Sequence, residues 1–166
     1  MSLKLVIFDV DGLLLDTERV WQDVWYDTAR DFGIDDWKRE NFLNVVGRSG
    51  QPVYDYMEEQ FRGRCSTEEF MKVARQHGVE RLERELTAKP GAVELLNCIK
   101  KAGLPCAVAT ATGRPLTEER LTRLHLLQYF DYLCCGDEVV ERKPSPEAYL
   151  KVLAKMNTAP EDALVF

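Results

Sequence analysis

Leu5-Val6-Ile7-Phe8-Asp9-Val10-Asp11-Gly12 opens on four apolar residues in a row and closes on two aspartates and a glycine. A continuous β-branched and aromatic run, without alternation, predicts a strand buried on both faces. That is the pattern of a parallel sheet. The carboxyl end of this strand is polar, and in open parallel sheets ligands sit outside that end.

Working outward from it, residues 18–86 show helical periodicity and no strand signal. Trp21, Trp25, Ala29 and Phe32 form one apolar stripe, flanked by Val20, Val24 and Thr28, and Gly33 reads as a C-cap. Phe42, Val45 and Val46 predict a second helix ending near Gly47, and Val53, Met57 and Phe61 a third. Ser66 with Glu69 three residues on reads as a capping box, opening a helix through Phe70, Val73 and Ala74 toward Leu86.

Beyond this block the pattern changes. Pro90-Gly91 opens a helix with a predicted inner face of Val93, Leu96 and Ile99, and Pro105-Cys106-Ala107-Val108-Ala109-Thr110 reads as a short buried strand. Pro115 starts a helix with Leu116, Leu121, Leu124 and Leu127 among its apolar positions. Tyr132 to Gly136 is a weaker strand. Ser145 as N-cap and Pro146 at the first helical position open another helix, and Ala163-Leu164-Val165-Phe166 begins one more strand. Strands alternating with helices predict right-handed βαβ units and an α/β fold with a parallel sheet. The expected division is a core of residues 1–16 and 87–166 interrupted by an all-helical cap of residues 17–86.

Composition narrows the function. The 22 basic and 28 acidic residues give a net charge of −6, which opposes a nucleic-acid backbone. No apolar run approaches the ~20 residues of a membrane span. Five cysteines, odd in number and without a Cys-x-x-Cys, read as reduced thiols in a cytoplasmic protein, and with His77 and His125 as the two histidines a His/Cys zinc site does not fit.

Three strand ends carry the chemistry: Asp9-Val10-Asp11-Gly12, Thr110-Ala111-Thr112-Gly113, and Arg142-Lys143-Pro144-Ser145-Pro146. Together they suit phosphoryl transfer. A carboxylate can attack phosphorus and form an aspartyl-phosphate. Mg²⁺ screens the repulsion between the two anions. A second carboxyl group protonates the leaving oxygen and later activates water. A threonine hydroxyl with neighbouring backbone N–H groups holds phosphate oxygens, and a lysine supplies fixed positive charge.

The runs LVIFDVDGLLLDTE, VATATGRP and RKPSPEAY resemble the three successive motifs of the haloacid dehalogenase superfamily, in the branch of β-phosphoglucomutases and small sugar-phosphate phosphatases. The resemblance covers essentially the whole chain. It implies a Rossmann-like core with a helical cap and a Mg²⁺-dependent phosphatase of small phosphomonoesters. By motif, Asp9 matches the nucleophile and a metal ligand. Asp11 matches the general acid/base, with its backbone carbonyl as a second metal contact. Thr110 matches the phosphate-binding hydroxyl and Lys143 the motif-three lysine. Gly12, Ala111 and Thr112 join the substrate-binding set.

Two departures favour a phosphatase over the alternative, a phosphosugar mutase. Trp21 stands where the mutases carry a proton-relaying histidine, and Gly50 where they carry a phosphate-gripping arginine, with Arg48 nearby as a partial replacement. Trp21 and Arg48 are therefore expected as substrate contacts. The family's fourth motif, an acidic pair after the strand beginning at Ala163, does not occur before Phe166. The expectation is a truncated core, incomplete at its carboxyl end, with weak activity and a tendency to self-associate, from a longer monomeric enzyme. A non-catalytic fragment is the further alternative.

Overall fold

A computed structural model describes residues 3–46 and 50–166. The chain forms two compact units, Met1–Asp16 with Thr87–Phe166, and Thr17–Leu86. The first contains a parallel sheet of β1 (Leu5–Phe8), β2 (Cys106–Ala109), β3 (Tyr132–Cys134) and β4 (Ala163–Val165), in the order β3-β2-β1-β4. Val6 pairs with Cys106, Leu5 with Ala163 and Ala107 with Tyr132.

Every residue of β1 and β2 is buried, as their unbroken apolar character requires. Leu5 and Ile7 join Ala107, Ala109 and Cys134 in a core closed by Ala148 and Val152 of α6 (Glu147–Lys155). Phe8, of opposite parity to Leu5 and Ile7, stacks on Phe166 and meets Phe130 edge-on. The chain steps outward from β1 to β3 and returns to the other side of β1 as β4. This reversal makes the carboxyl end of β1 a topological switch point, where open α/β sheets bind ligands.

Local patterns misjudge three helices of this unit. In α4 (Ala92–Lys101) the buried residues are Ala92, Leu96 and Ile99, while Val93 is exposed. In α5 (Arg114–Arg123) Thr117, Arg120 and Leu121 are buried and Leu116 is exposed. Leu124 lies past the helix end, and Leu127 falls in a 3₁₀ turn, Leu127–Tyr129. Beside Leu121 the inward face of α5 is polar, because Thr117 donates to the Gly113 carbonyl and Arg120 reaches Asp11. In α6, Pro146 is the N-cap rather than the first helical residue, although the Ser145 hydroxyl still accepts from the Glu147 N–H at 3.3 Å.

The second unit contains α1 (Thr17–Asp31), α2 (Gln51–Phe61) and α3 (Thr67–Glu85), and α1 packs along α3. The Ser66 hydroxyl accepts from the Glu69 N–H at the start of α3. The segment expected as a helix at residues 42–46 is a 3₁₀ turn, Arg39–Asn44. The Asn41 side chain accepts from the Lys38 N–H at 2.9 Å, a contact that caps the start of this turn, and the Val45 N–H donates to the Phe42 carbonyl three residues back, which closes it as 3₁₀. Trp25, Trp37, Phe42, Phe61 and Phe70 form the core of the unit, with tilted and edge-on rings. Among the described residues no helix is long and apolar enough to cross a membrane.

Candidate active site

The turn that follows β1 is tight. Leu14 and Leu15 both donate to the Val10 carbonyl at 3.0 Å, and Gly12 donates to Leu15. Gly12 takes φ +77°, a left-handed conformation that a side chain would strain. The turn leaves Asp9 at the strand end, its side chain about one third exposed, with Oδ1 accepting from the Val10 N–H at 2.8 Å.

Lys143 reaches the same point from the loop before α6. Its Nζ lies 3.1 Å from Asp9 Oδ1, donates to the Ala109 carbonyl at 3.0 Å, and sits 5.0 Å from the centre of the Tyr149 ring. Burial works against the ammonium, but the Tyr149 hydroxyl and the Asp9 carboxylate outweigh it, and its pKa rises above the ordinary lysine value. Lys143 is thus a fixed positive charge that touches the ends of β1 and β2 together.

Thr110, at the end of β2, is 2% exposed and donates its N–H to the Cys134 carbonyl. Its hydroxyl oxygen accepts from the Thr112 N–H at 3.2 Å, and a threonine hydroxyl that accepts still has its proton to donate. The Thr112 hydroxyl donates to Asp11 Oδ2 at 2.7 Å, and Arg120 Nη1 donates to Asp11 Oδ1 at 2.9 Å. Asp9, Asp11, Gly12, Thr110, Ala111, Thr112 and Lys143 therefore all lie at the carboxyl edge of one sheet. Trp21 lies in the helical unit. Its ring rests against Gly78, where a Cβ would overlap it. It also lines a pocket of about 450 Å³ with Trp25, Phe42, Val53 and Met71. Arg48 falls outside the described residues.

Sequence reasoning misses three supports of this site. Arg120 reads as one more charged residue on an amphipathic helix. Gly136 reads as the end of a weak strand, yet its N–H donates to the Thr112 carbonyl, and a Cβ on it would strike the Ala111 carbonyl. Glu147 reads as a helix-opening acid, yet its carboxylate accepts from the backbone N–H groups of Val140 and Glu141 at 2.7–3.1 Å. Those bonds clasp the loop that presents Lys143. The N–H groups of Glu141 and Val140, with Lys151, hold the Glu147 pKa down to about 2. A depressed carboxyl stabilises the fold above its unfolded pKa of 4.5, and the contribution disappears as pH falls toward 2. Glu147→Gln should therefore speed hydrogen exchange at the Val140 and Glu141 amides at neutral pH. In the parent the same loss of protection should appear between about pH 4.5 and 2. Unchanged exchange in the variant would remove Glu147 from this role.

Other chemistries fit less well. Burial pushes the Cys106 and Cys135 thiols up to about 11, so neither is a thiolate at neutral pH. Cys135, Asp137 and Glu138 bring potential ligand atoms within 4.8 Å of one another. However, Asp137 accepts from the Arg114 N–H, and Glu138 from the Arg114 guanidinium and the Cys135 N–H. Oxygen donors suit a hard divalent cation. Asp9 offers such oxygens. The carboxylate of Asp11 is engaged by Arg120 and Thr112, which leaves its backbone carbonyl as the group it can offer.

Comparison with known proteins places the chain in a family. The family model described as haloacid dehalogenase-like hydrolase matches residues 6–166. A phosphorylated carbohydrates phosphatase from Thermotoga maritima is 35% identical over 99% of this chain and 76% of its own length. Hexitol phosphatase B from Escherichia coli K12 is 29% identical over 96% of this chain and 72% of its own. Among solved structures, CbbY from Rhodobacter sphaeroides in complex with phosphate superposes with a TM-score of 0.68. It is 27% identical and matches 99% of this chain and 77% of its own.

Proposed function

The chain belongs to the haloacid dehalogenase-like hydrolases, as a phosphoric monoester hydrolase, and from that premise we propose that it hydrolyses a small phosphorylated metabolite through phospho-Asp9. In the first step an Asp9 carboxylate oxygen bonds to phosphorus. The bond from phosphorus to the substrate oxygen breaks, and that oxygen takes a proton from Asp11. In the second step water attacks the same phosphorus, its proton passes to Asp11, and the Asp9 carboxylate departs from inorganic phosphate. Lys143 offsets the charge that Asp9 and the phosphoryl group bring together. The Thr110 hydroxyl proton and the backbone N–H of Ala111 hold phosphate oxygens.

A divalent cation, Mg²⁺ in this proposal, would be held by the Asp9 carboxylate and the Asp11 backbone carbonyl, and would supply charge neutralisation between nucleophile and phosphate. Trp21, on its pocket wall, is the candidate contact for an organic group. An indole N–H donates but does not relay a proton, which favours release of phosphate to water over its return to a sugar. Reduced thiols, three of them buried, accord with a cytoplasmic setting.

The observation that carries this reading is the 3.1 Å approach of Lys143 to Asp9 while the same ammonium holds the end of β2. The test is capture. Protein mixed with ³²P-labelled hexose phosphates and quenched in acid should carry label on the peptide containing Asp9, released by hydroxylamine as an acyl phosphate would be. Label elsewhere, or turnover with no labelled protein at any quench time, would sink the proposal.

A further inference from the structure

Arg120 is a buried charge that the proposed reaction leaves without a task. It is 8% exposed, on the inward face of α5, and a guanidinium so enclosed is retained only where something pairs with it. The carboxylate that it meets is that of Asp11, at 2.9 Å. The other Asp11 oxygen accepts from the Thr112 hydroxyl at 2.7 Å. The carboxylate is thus gripped at both oxygens, which fixes its plane and its rotamer. The brace continues, because the Thr112 N–H donates to the Thr110 hydroxyl oxygen. The turn after β1 and the loop after β2 are joined through side chains at the place where a phosphate and a proton would have to be handled together.

We propose that Arg120 and Thr112 are positioning residues that hold Asp11 in the orientation from which it exchanges a proton with the leaving oxygen. The proposal rests on the reading of Asp11 as the acid/base. Neither positioning residue touches the reacting atoms through its side chain; each acts through Asp11. The need for such a brace is physical. Asp11 lies on a tight turn beside a glycine of positive φ, and an ångström of misplacement in a catalytic group costs about 100-fold in rate.

The test separates this role from simple support of the fold. The value of kcat/KM reports the steps up to loss of the leaving group. A p-nitrophenolate departs without a proton, whereas a sugar alkoxide needs one. Arg120→Met should therefore lower kcat/KM for a hexose or hexitol phosphate by about 10- to 100-fold, and for p-nitrophenyl phosphate by far less. Arg120→Lys, which keeps the charge, should recover most of the loss. Thr112→Val, on the β2 loop, should shift the ratio of the two substrates in the same direction and supplies the same reading if Arg120→Met folds poorly. In an Asp11→Asn background Arg120→Met should cost nothing further. An equal loss on both esters, or a loss that adds in full to that of Asp11→Asn, would overturn the proposal. If Asp11→Asn is itself without effect, the acid/base reading has failed and this inference falls with it. If Asp11→Asn is crippled while the Arg120 and Thr112 variants keep the parental substrate ratio, the positioning role alone has failed.

Discussion

Asp9→Asn should slow turnover of p-nitrophenyl phosphate by about a thousand-fold or more, with little change in melting temperature. The substitution is nearly isosteric, and the amide oxygen can still accept the Val10 N–H that Oδ1 accepts at 2.8 Å. What disappears is the anionic nucleophile and its attraction to Lys143. The side chain is about one third exposed at a strand end, so little packing is at stake, and a shift of a few degrees or less is the expected stability effect. Steady-state rates beside a thermal melt decide the matter. A variant retaining a tenth of parental activity would exclude Asp9 as the atom that bonds to phosphorus. A variant that lost its activity through unfolding would show it in the melt.

The second large effect is expected far from the acids in sequence. Gly136 lies buried against the Ala111–Thr112 loop, donating to the Thr112 carbonyl at 2.9 Å, and a methyl group there would collide with the Ala111 carbonyl. Because the obstacle is backbone, the Gly136→Ala side chain has no rotamer to escape into, and the loop has to move. Overpacking of this kind costs about 1–3 kcal/mol of stability. The larger consequence is catalytic. The displaced segment carries the Ala111 N–H proposed for phosphate and the Thr112 hydroxyl that holds Asp11. A shift near 1 Å predicts a loss of about 100-fold in kcat/KM. Gly136→Ser should behave the same way. If Gly136→Ala keeps parental kcat/KM, the loop is more tolerant than its contacts imply, and the phosphate-holding role of its N–H groups becomes hard to sustain.

The contrast between Asp9 and Gly136 marks how much could be read from the chain. Asp9 was legible because it ends an unbroken apolar run, and such a run has few places to go other than the middle of a parallel sheet. Thr110 was legible for the same reason, at the end of a second apolar run, whereas Lys143 lies in the loop before α6, well past the end of β3, and was legible through its resemblance to the family's third motif. The helix faces were less legible. Val93 is the larger apolar side chain, yet Ala92 is buried and Val93 is exposed. Leu116 is likewise exposed while Thr117 and Arg120 go inward. Hydrophobic periodicity assumes that a helix buries its apolar side. It fails on α5 because that helix packs its inner face partly against polar loops, where a hydroxyl and a guanidinium find partners that a leucine would not. The expected helix at residues 42–46 is instead a short 3₁₀ turn, closed by a bond from the Val45 N–H to the Phe42 carbonyl three residues back.

Linear order by itself determined the alternation of strands and helices, the parallel sheet that this alternation obliges, and the placing of acids and threonines at strand ends. These follow from periodicity and burial, which act over a few residues and are written into them. Tertiary structure alone decided that one ammonium would bridge Asp9 and the end of β2, that Arg120 and Thr112 would grip Asp11, and that Gly136 would sit too close to Ala111 to bear a side chain. Those contacts join residues up to 134 positions apart, as Asp9 to Lys143. Their distances depend on how whole elements pack, a quantity that no short stretch of chain contains.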